Sequence, residues 1–470
     1  MIFISLTLFH TRIGLLLHYK SRMKPKNVVN MKKNLFLLSA IVLSGVILSS
    51  LLSCSSSEEI EQLEPKQVVN MLGESKPIQL TQEQRVFVND NNQFTLNFLK
   101  TVNETDRSSK SFIYSPLSIT YALGMVNDAA IGKTEEELEQ TLGFHQGGIK
   151  AVNDYCKNLI DNLPKVDDKV TLNIANAIFL NEKYKLKKQF EKDVADYYDA
   201  KAEALNFAET KKSADVINNW CNDKTNGMIK DIIAETEPTA VSYLLNAIYF
   251  KADWASKFDA KNTKDELFDG KGKVPMMHQN VLISYVNNGL YSAIKMPYGN
   301  GYWNMTVMLP EEGKTIDDVI EHLSKVGFAD VESFCGTMGG VFEPYEVDLK
   351  LPRYETESDT DSKEVGGLIP LMQNLGIHLA FDCDFSQIPN MCENGNLYIS
   401  MMRQKAKIKV SEEGSEAAAV TIAGANFTTS YPSEPPVYPK ATFYANRPFV
   451  YVIREQSSGV ILFVGKFTGK

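Results

Sequence analysis

The chain has 470 residues, a formal net charge of −9 and a hydrophobic fraction of 44%. This is the composition of an ordinary globular protein with enough apolar material for a large core. Its acidic residues are spread along the chain and no basic stripe accompanies them, so the composition argues against nucleic acid as a partner.

The N-terminal region has the pattern of a targeting signal. Residues 31–54, MKKNLFLLSAIVLSGVILSSLLSC, begin with two lysines, continue as an apolar run and end in small residues, the layout of a secretory signal. The apolar part is also near the length that spans a bilayer, so a membrane anchor is the alternative. The ending LLSC favours a signal peptide, because it resembles the lipobox of bacterial lipoproteins, in which the cysteine, here Cys54, is acylated.

These features divide the chain into four parts. We interpret residues 1–30 as an over-extended start, 31–53 as a lipoprotein signal peptide, 54–80 as a flexible polar tether and 81–470 as one domain. The expected location is the bacterial cell envelope, with the lipid anchor as the only membrane contact. The early acidic pair after Cys54 resembles surface-export signals of some bacterial lipoproteins, which favours the outer membrane and exposure at the cell surface.

The sequence lacks the usual motifs of enzymes and metal sites. No HExxH, GxSxG, phosphate loop or dinucleotide fingerprint occurs, so we expect no enzyme activity, no metal and no cofactor. The five cysteines after Cys54 are scattered, and their odd number cannot pair completely within one chain. Cys383 and Cys392 could bridge a loop, although free thiols fit the spacing better.

Helices are predicted mainly in the first half of the domain. Thr81 and Gln84 predict a capping box at the start of a helix over about 81–101. A short strand follows at 113–115, and a second helix is expected from about Leu117. Thr134 to Glu137 predicts another capping box, and the amphipathic segment 214–233 predicts a helix that ends near Gly227.

Strands are predicted mainly in the second half, which makes the domain α+β. The predicted strands cover 170–184, an apolar run at 241–254, a hairpin around YGNGY at 291–313, an alternating stretch at 347–358, a long strand at 397–414 and a closing hairpin at 448–467. A short helix is expected in the segment 368–382.

The segment 411–439, SEEGSEAAAVTIAGANFTTSYPSEPPVYP, reads as a strand that has no place in the sheet. From Ser415 onward, every second residue up to Ala425 is small and uncharged, and Glu416 is the only charge on the other face. A strand entering between two existing strands needs this pattern, since a packed interior excludes charge and bulk. An alanine-rich surface helix or a linker is the alternative, and Gly414 and Gly424 weigh against the helix.

The segment EEGSEAAAVTIAG resembles the reactive-loop hinge of the serpins. The resemblance extends over residues 81–470 through IYSPLSITYALGMVNDAAIGKT, NIANAIFL, INNWCNDKTNGMIKDII, LLNAIYFKADW, VPMMHQ, IKMPYG, LYISMMRQKAKIKVSEEGSEAAA and NRPFVYVIRE. It implies the serpin fold, with a large central β-sheet, further sheets, about eight or nine helices and an exposed reactive-centre loop.

The resemblance also implies a function, the suicide inhibition of serine proteases. The protease attacks a bait bond in the loop and forms a covalent acyl complex, and the cut loop then inserts into the central sheet and distorts the protease. The protein is expected to act as a monomer. The alternative is a non-inhibitory serpin that acts as a binding or carrier protein.

Site residues are assigned by the same resemblance. Ser115, Ser118 and Asn246 match the polar cluster where the strands part, although a satisfied polar core is the alternative for Ser118 and Asn246. Gln404 stands where the family usually has histidine, and Trp254 matches the tryptophan at the point of insertion. The hinge comprises Glu412, Glu413, Gly414, Ser415, Glu416, Ala417, Ala418 and Ala419.

The bait bond is located by counting. Seventeen residues from Glu412 inclusive place it at Thr428–Thr429, with Phe427–Thr428 as its neighbour, in a loop several residues longer than usual. No lysine or arginine occurs between Glu412 and Pro439, so trypsin-like targets are excluded. A threonine or phenylalanine at this bond suggests elastase-, subtilisin- or chymotrypsin-like proteases.

Overall fold

The computed structural model describes residues 76–106, 108–145, 147–327, 342–415 and 437–470. Eight α-helices lie in these ranges, in agreement with the expected fold. They are α1 (Gln82–Thr105), α2 (Pro116–Ala129), α3 (Gly132–Leu142), α4 (Gly148–Asn162), α5 (Lys188–Tyr198), α6 (Thr210–Lys224), α7 (Ile316–Val326) and α8 (Leu368–Leu375). None of these helices is both long enough and apolar enough to cross a bilayer.

The start of α1 is as predicted, and the start of α3 is not. The Thr81 side chain and the Gln84 side chain form the reciprocal capping box at α1. Helix α3 begins at Gly132, before Thr134, and has no side-chain cap. The predicted capping box fails because Thr134 Oγ1 instead accepts a hydrogen bond from the Gln387 backbone N–H, at 3.0 Å.

The strands of the described ranges form two sheets. Their bounds are β1 (Phe112–Tyr114), β2 (Val170–Asn181), β3 (Ala200–Leu205), β4 (Ser242–Asp253), β5 (Lys264–Phe268), β6 (Gly272–Asn287), β7 (Tyr291–Tyr298), β8 (Trp303–Pro310), β9 (Glu343–Pro352), β10 (Tyr354–Asp359), β11 (Met401–Val410), β12 (Gly414–Ser415), β13 (Lys440–Tyr444), β14 (Phe449–Glu455) and β15 (Ile461–Phe467).

The nine-stranded sheet has the order β1-β15-β14-β8-β7-β6-β9-β13, with β5 paired to β6. The hairpin predicted around YGNGY is the antiparallel pair β7–β8, and the closing hairpin is β14–β15. The alternating stretch at 347–358 is not a single strand: it divides at Arg353 into β9, which belongs to this sheet, and β10, which belongs to the other. Alternation alone cannot show that a chain changes sheets.

The six-stranded sheet has the order β10-β11-β12-β4-β2-β3 and holds the candidate site. On its inner face, side chains such as Ile248 and Phe250 belong to the main hydrophobic core. On its outer face, helix α6 covers one end, where Trp220 packs edge-on against Phe179 at 5.9 Å between ring centroids. The other end of the outer face carries charged side chains.

Candidate functional site

The six-stranded sheet has a gap between β4 and β11. These two strands pair in parallel only where Tyr243–Asn246 meets Met401–Gln404. Beyond that point, residues 247–251 and 405–409 form no ladder pair with each other, and no strand of the described chain lies between them. Each strand stays paired on its other side, to β2 and β10 respectively. Among the described residues, the strand position between these two segments is therefore unfilled over about five residues.

The described part of the hinge, Glu412 to Ser415, occupies the entrance of this gap. Strand β12 pairs antiparallel with both neighbours, so that Ser415 lies between Val410 and Ala252. The Ser415 side chain points into the core, where its Oγ lies 2.7 Å from the Tyr298 hydroxyl. At Gly414 a Cβ atom would lie 2.1 Å from the Ala252 carbonyl oxygen, so only glycine fits this approach.

Trp254 lies beside β12, at the entrance of the gap. Its ring stacks on Tyr298 with the centroids 4.3 Å apart and an interplanar angle of 11°. The indole Nε1–H donates to the Ser411 carbonyl at 2.9 Å, and the Trp254 backbone N–H donates to the Glu413 carbonyl at 2.8 Å. Burial raises the pKa of Tyr298, so its hydroxyl stays neutral and able to donate. Sequence reasoning missed Tyr298, since its role depends on a contact across two sheets.

The two hinge carboxylates hold the turn between β11 and β12. Glu412 is buried and accepts a hydrogen bond from the Thr263 hydroxyl at 2.7 Å, while Arg353 Nη1 lies 3.3 Å away. Glu413 is more exposed and pairs with Lys257 at 2.6 Å. Glu412 and Glu413 thus anchor the turn on both sides. The described part of the hinge ends at Ser415.

Gln404 is the centre of the polar cluster at the closed end of the gap. Its Oε1 accepts from the Ser115 backbone N–H at 3.0 Å, and its Nε2 donates to the Ser115 carbonyl at 2.9 Å and to Ser118 Oγ at 2.7 Å. The Ser115 hydroxyl donates to the Leu462 carbonyl at 2.7 Å. The amide thus ties β11 to the N-terminus of α2.

Asn246 lies beside this cluster and bonds elsewhere. Its backbone is the ladder partner of Gln404, but its Nδ2 donates to Asn176 Oδ1 at 2.6 Å. The buried Asn246 Oδ1 accepts no hydrogen bond from the described residues. Asn176 was not predicted, although a signal existed: it interrupts the apolar inner face of β2 between Ile174 and Ile178.

Several predicted site residues lie outside the described residues. They are Cys54, Glu416, Ala417, Ala418, Ala419, Phe427, Thr428 and Thr429. Cys383 and Cys392 lie within the described chain, and both are free thiols. Within the described residues, the site leaves one strand position between β4 and β11 unfilled, and strand β12 is already paired at the entrance of that position.

Comparison with known proteins identifies the family. The family model for Serpin (serine protease inhibitor) matches residues 89–469. An uncharacterised serpin-like protein of Thermococcus kodakarensis is 30% identical over 84% of this chain and 86% of its own length. The antitrypsin of Bombyx mori is 30% identical over 83% of this chain and 95% of its own. The chain therefore belongs to the serpin family.

Solved structures agree with this assignment. The thermophilic serpin tengpin in its native state superposes with a TM-score of 0.70 at 25% identity, covering 84% of this chain and 96% of that chain. Thyroxine-binding globulin in complex with thyroxine superposes with a TM-score of 0.67 at 25% identity, covering 82% and 98%. The proteins similar to this chain thus include one whose structure was solved with bound thyroxine, as well as an antitrypsin.

Proposed function

We propose that this protein is a suicide-substrate inhibitor of serine proteases that acts as a monomer. The observation that supports the proposal is the unfilled strand position between β4 and β11, with β12 already paired at its entrance. A loop cut after the hinge can continue β12 along the gap without any change in the direction of the chain. The inserted strand would carry the attached protease away from the site of attack.

The driving force is the new strand. Each backbone hydrogen bond gained is worth about 0.5–1.5 kcal/mol net, so a strand of about a dozen residues gains on the order of 10 kcal/mol. Whole domains are stable by only about 5–15 kcal/mol. The first five residues after Ser415 meet positions that are already unpaired, and further insertion must separate Asn246 from Gln404. The parallel ladder between Tyr243–Asn246 and Met401–Gln404 is therefore the barrier to full insertion.

The proposed target class follows from the loop sequence. We place the bait bond at Thr428–Thr429, with Phe427–Thr428 as the neighbouring choice, and expect elastase-, subtilisin- or chymotrypsin-like proteases. The test mixes the purified protein with pancreatic elastase and resolves the products on denaturing gels. A stable covalent complex supports inhibition, whereas cleaved protein with fully active protease at every ratio contradicts it. Mass spectrometry of the released fragment locates the bond.

A hinge variant tests the insertion step separately. Ala417 belongs to the small face of the segment, and Ala417→Arg places charge and bulk where the inserted strand must pack against the core. The variant should be cleaved as a substrate and should release active protease. Ala418→Arg is the matched control, because its side chain falls on the opposite face. Equal inhibition by Ala417→Arg and the parent protein would contradict insertion.

We further propose that the protein is a bacterial lipoprotein, attached through Cys54 to the cell envelope. The support is the signal-like run that ends in LLSC. The test expresses the parent chain and Cys54→Ser in a bacterial host with labelled palmitate. The parent should carry the label and sediment with membranes, and the variant should lose both properties. A variant that remains membrane-bound would favour a spanning anchor.

A carrier function is the second candidate, favoured by the likeness to the thyroxine-binding globulin complex. The two functions differ in their response to loop cleavage. An inhibitor should gain a large increase in melting temperature when its loop is cut, because the cut loop inserts. A carrier without insertion should show an unchanged melting temperature.

A further inference from the structure

We propose that Lys257 is a positioning residue for loop insertion, because its ammonium group ties the hinge turn to the end of β4 and so keeps β12 seated in the sheet. The inference rests on the proposed inhibitory function and deepens it. It is carried by contacts among described residues: two ion pairs, two backbone hydrogen bonds and the ladder register at the end of β4.

Strand β12 is too short to hold its own place in the sheet. It has only two residues, and its ladder pairs are Gly414 with Asp253 and Ser415 with Ala252 and Val410. Ordering even two residues costs conformational entropy, which so few backbone hydrogen bonds barely offset. The position of β12 therefore depends on the turn that precedes it.

Backbone hydrogen bonds attach this turn to the segment that follows β4. The Trp254 N–H donates to the Glu413 carbonyl at 2.8 Å, and the Phe258 N–H donates to the Glu412 carbonyl at 3.0 Å. Lys257 lies between these two donors in the chain, so its backbone is held beside the turn. The two amides also report on the turn, because each loses its partner if the turn moves away.

The Lys257 side chain completes the attachment. Its Nζ lies 2.6 Å from Glu413 Oε2, on the turn, and 2.8 Å from Asp253 Oδ2, on β4. Asp253 is the ladder partner of Gly414, so the bridge spans the pairing that seats β12. The Lys257 and Asp253 side chains are only 25% and 23% exposed, so salt screens this pair less than a pair in open solvent.

The charges at this point make Lys257 more than a surface partner. Burial opposes its charge, but hydrogen bonds to Asp253 and Glu413 outweigh burial and raise the pKa of the ammonium group. Both carboxylates contact the same nitrogen, so without the lysine their two negative charges would repel and push the turn away from β4. Glu412 bonds separately to Thr263 at 2.7 Å, so that contact does not depend on Lys257.

The test removes the cation and then restores it. Lys257→Met keeps the length of the side chain without its charge, and Lys257→Arg keeps the charge. In the uncleaved protein, amide exchange at Trp254 and Phe258 should rise about two- to fivefold with methionine, the range expected for ion pairs near the surface, and stay at the parent rate with arginine. High salt should bring the parent rate closer to that of the methionine variant. Lys261→Met, which removes an exposed lysine four residues further along, is the matched control.

Inhibition of pancreatic elastase supplies the second readout. The number of inhibitor molecules consumed per protease inhibited should rise about two- to fivefold in Lys257→Met, because a displaced β12 delays insertion while the protease can still complete hydrolysis. It should stay at the parent value in Lys257→Arg and Lys261→Met.

The two readouts separate this inference from the function on which it rests. If the parent forms a covalent complex and Lys257→Met leaves either the exchange rates or the number consumed unchanged, the lysine assignment is wrong and the inhibitory function stands. If the parent itself forms no covalent complex with the protease, the inhibitory function is wrong and this inference falls with it.

Discussion

Replacing Gln404 by leucine tests the hydrogen bonds that hold β11 against the N-terminus of α2 at the closed end of the gap. Leucine has a similar size but can neither donate nor accept. The substitution removes three hydrogen bonds: one from the Ser115 N–H, one to the Ser115 carbonyl and one to Ser118 Oγ. The Ser115 carbonyl keeps a donor, because the Ser118 hydroxyl lies 3.0 Å from it. The fully buried Ser115 N–H loses its partner.

The expected magnitude follows from that orphaned donor. A buried donor without a partner costs about 1–3 kcal/mol. For a domain of this size, the melting temperature of the uncleaved protein should fall by about 1–4 °C. The same loss frees β11 from α2 next to its ladder pair with Asn246, so we expect the variant to insert its uncut loop more readily on warming and to lose inhibitory activity faster.

The assay compares melting temperature and the rate of activity loss for the parent, Gln404→Leu and Gln404→His. Histidine can replace one donor and one acceptor, so at pH 8 it should resemble the parent more closely than leucine does. Burial lowers the pKa of such a histidine below its unfolded value of about 6.5, so its stability is present above that pH and lost as the pH falls. A leucine variant indistinguishable from the parent in both readouts would refute the role assigned to the cluster.

Three further outcomes are expected. Glu412→Ala removes a buried carboxylate together with its hydrogen bond from Thr263 and should cost about 1.5–3 kcal/mol, measured by chemical unfolding. The more exposed Glu413→Ala should cost less than about 1 kcal/mol. Gly414→Val should expel β12, since a Cβ would lie 2.1 Å from the Ala252 carbonyl oxygen, and tryptophan emission should shift; unchanged emission would contradict the packing. Burial opposes ionisation of Asp359, but hydrogen bonds from Arg403 outweigh it and lower the pKa of the carboxyl group. The stability that Asp359 contributes is therefore present above its unfolded-state pKa and is lost as the pH falls through its folded-state pKa. Asp359→Asn should flatten the acid side of the curve of stability against pH, and an unaltered acid side would exclude the Asp359–Arg403 pair as a cause of acid unfolding.

The sequence indicates most about the candidate site where the pattern involves residues close together in the chain. Alternation placed Ser415 on the inward face, and the structure shows it there, in contact with Tyr298. Resemblance placed Trp254 at the entrance and Gln404 beside Ser115 and Ser118, and these contacts are present. Asn246 was expected in the same cluster, and its side chain bonds to Asn176 instead.

What the sequence could not supply depends on contacts between distant segments. The Thr134 side chain was assigned to a helix cap because the motif is local, yet it binds a backbone group of a segment more than two hundred residues away. The division of 347–358 between two sheets has the same origin, since both halves alternate and only their partners differ. The two-residue strand β12 is also invisible to periodicity, because its position is set by pairing on both sides.

The central claim is that the cut loop fills the gap between β4 and β11, and hydrogen exchange tests it most directly. Amides of residues 247–251 and 405–409 that face the gap should exchange quickly in the intact protein, because no strand within the described ranges pairs with them there. After the loop is cut, the account predicts strong protection in both segments together. Exchange that stays fast in both segments of the cut protein would contradict insertion.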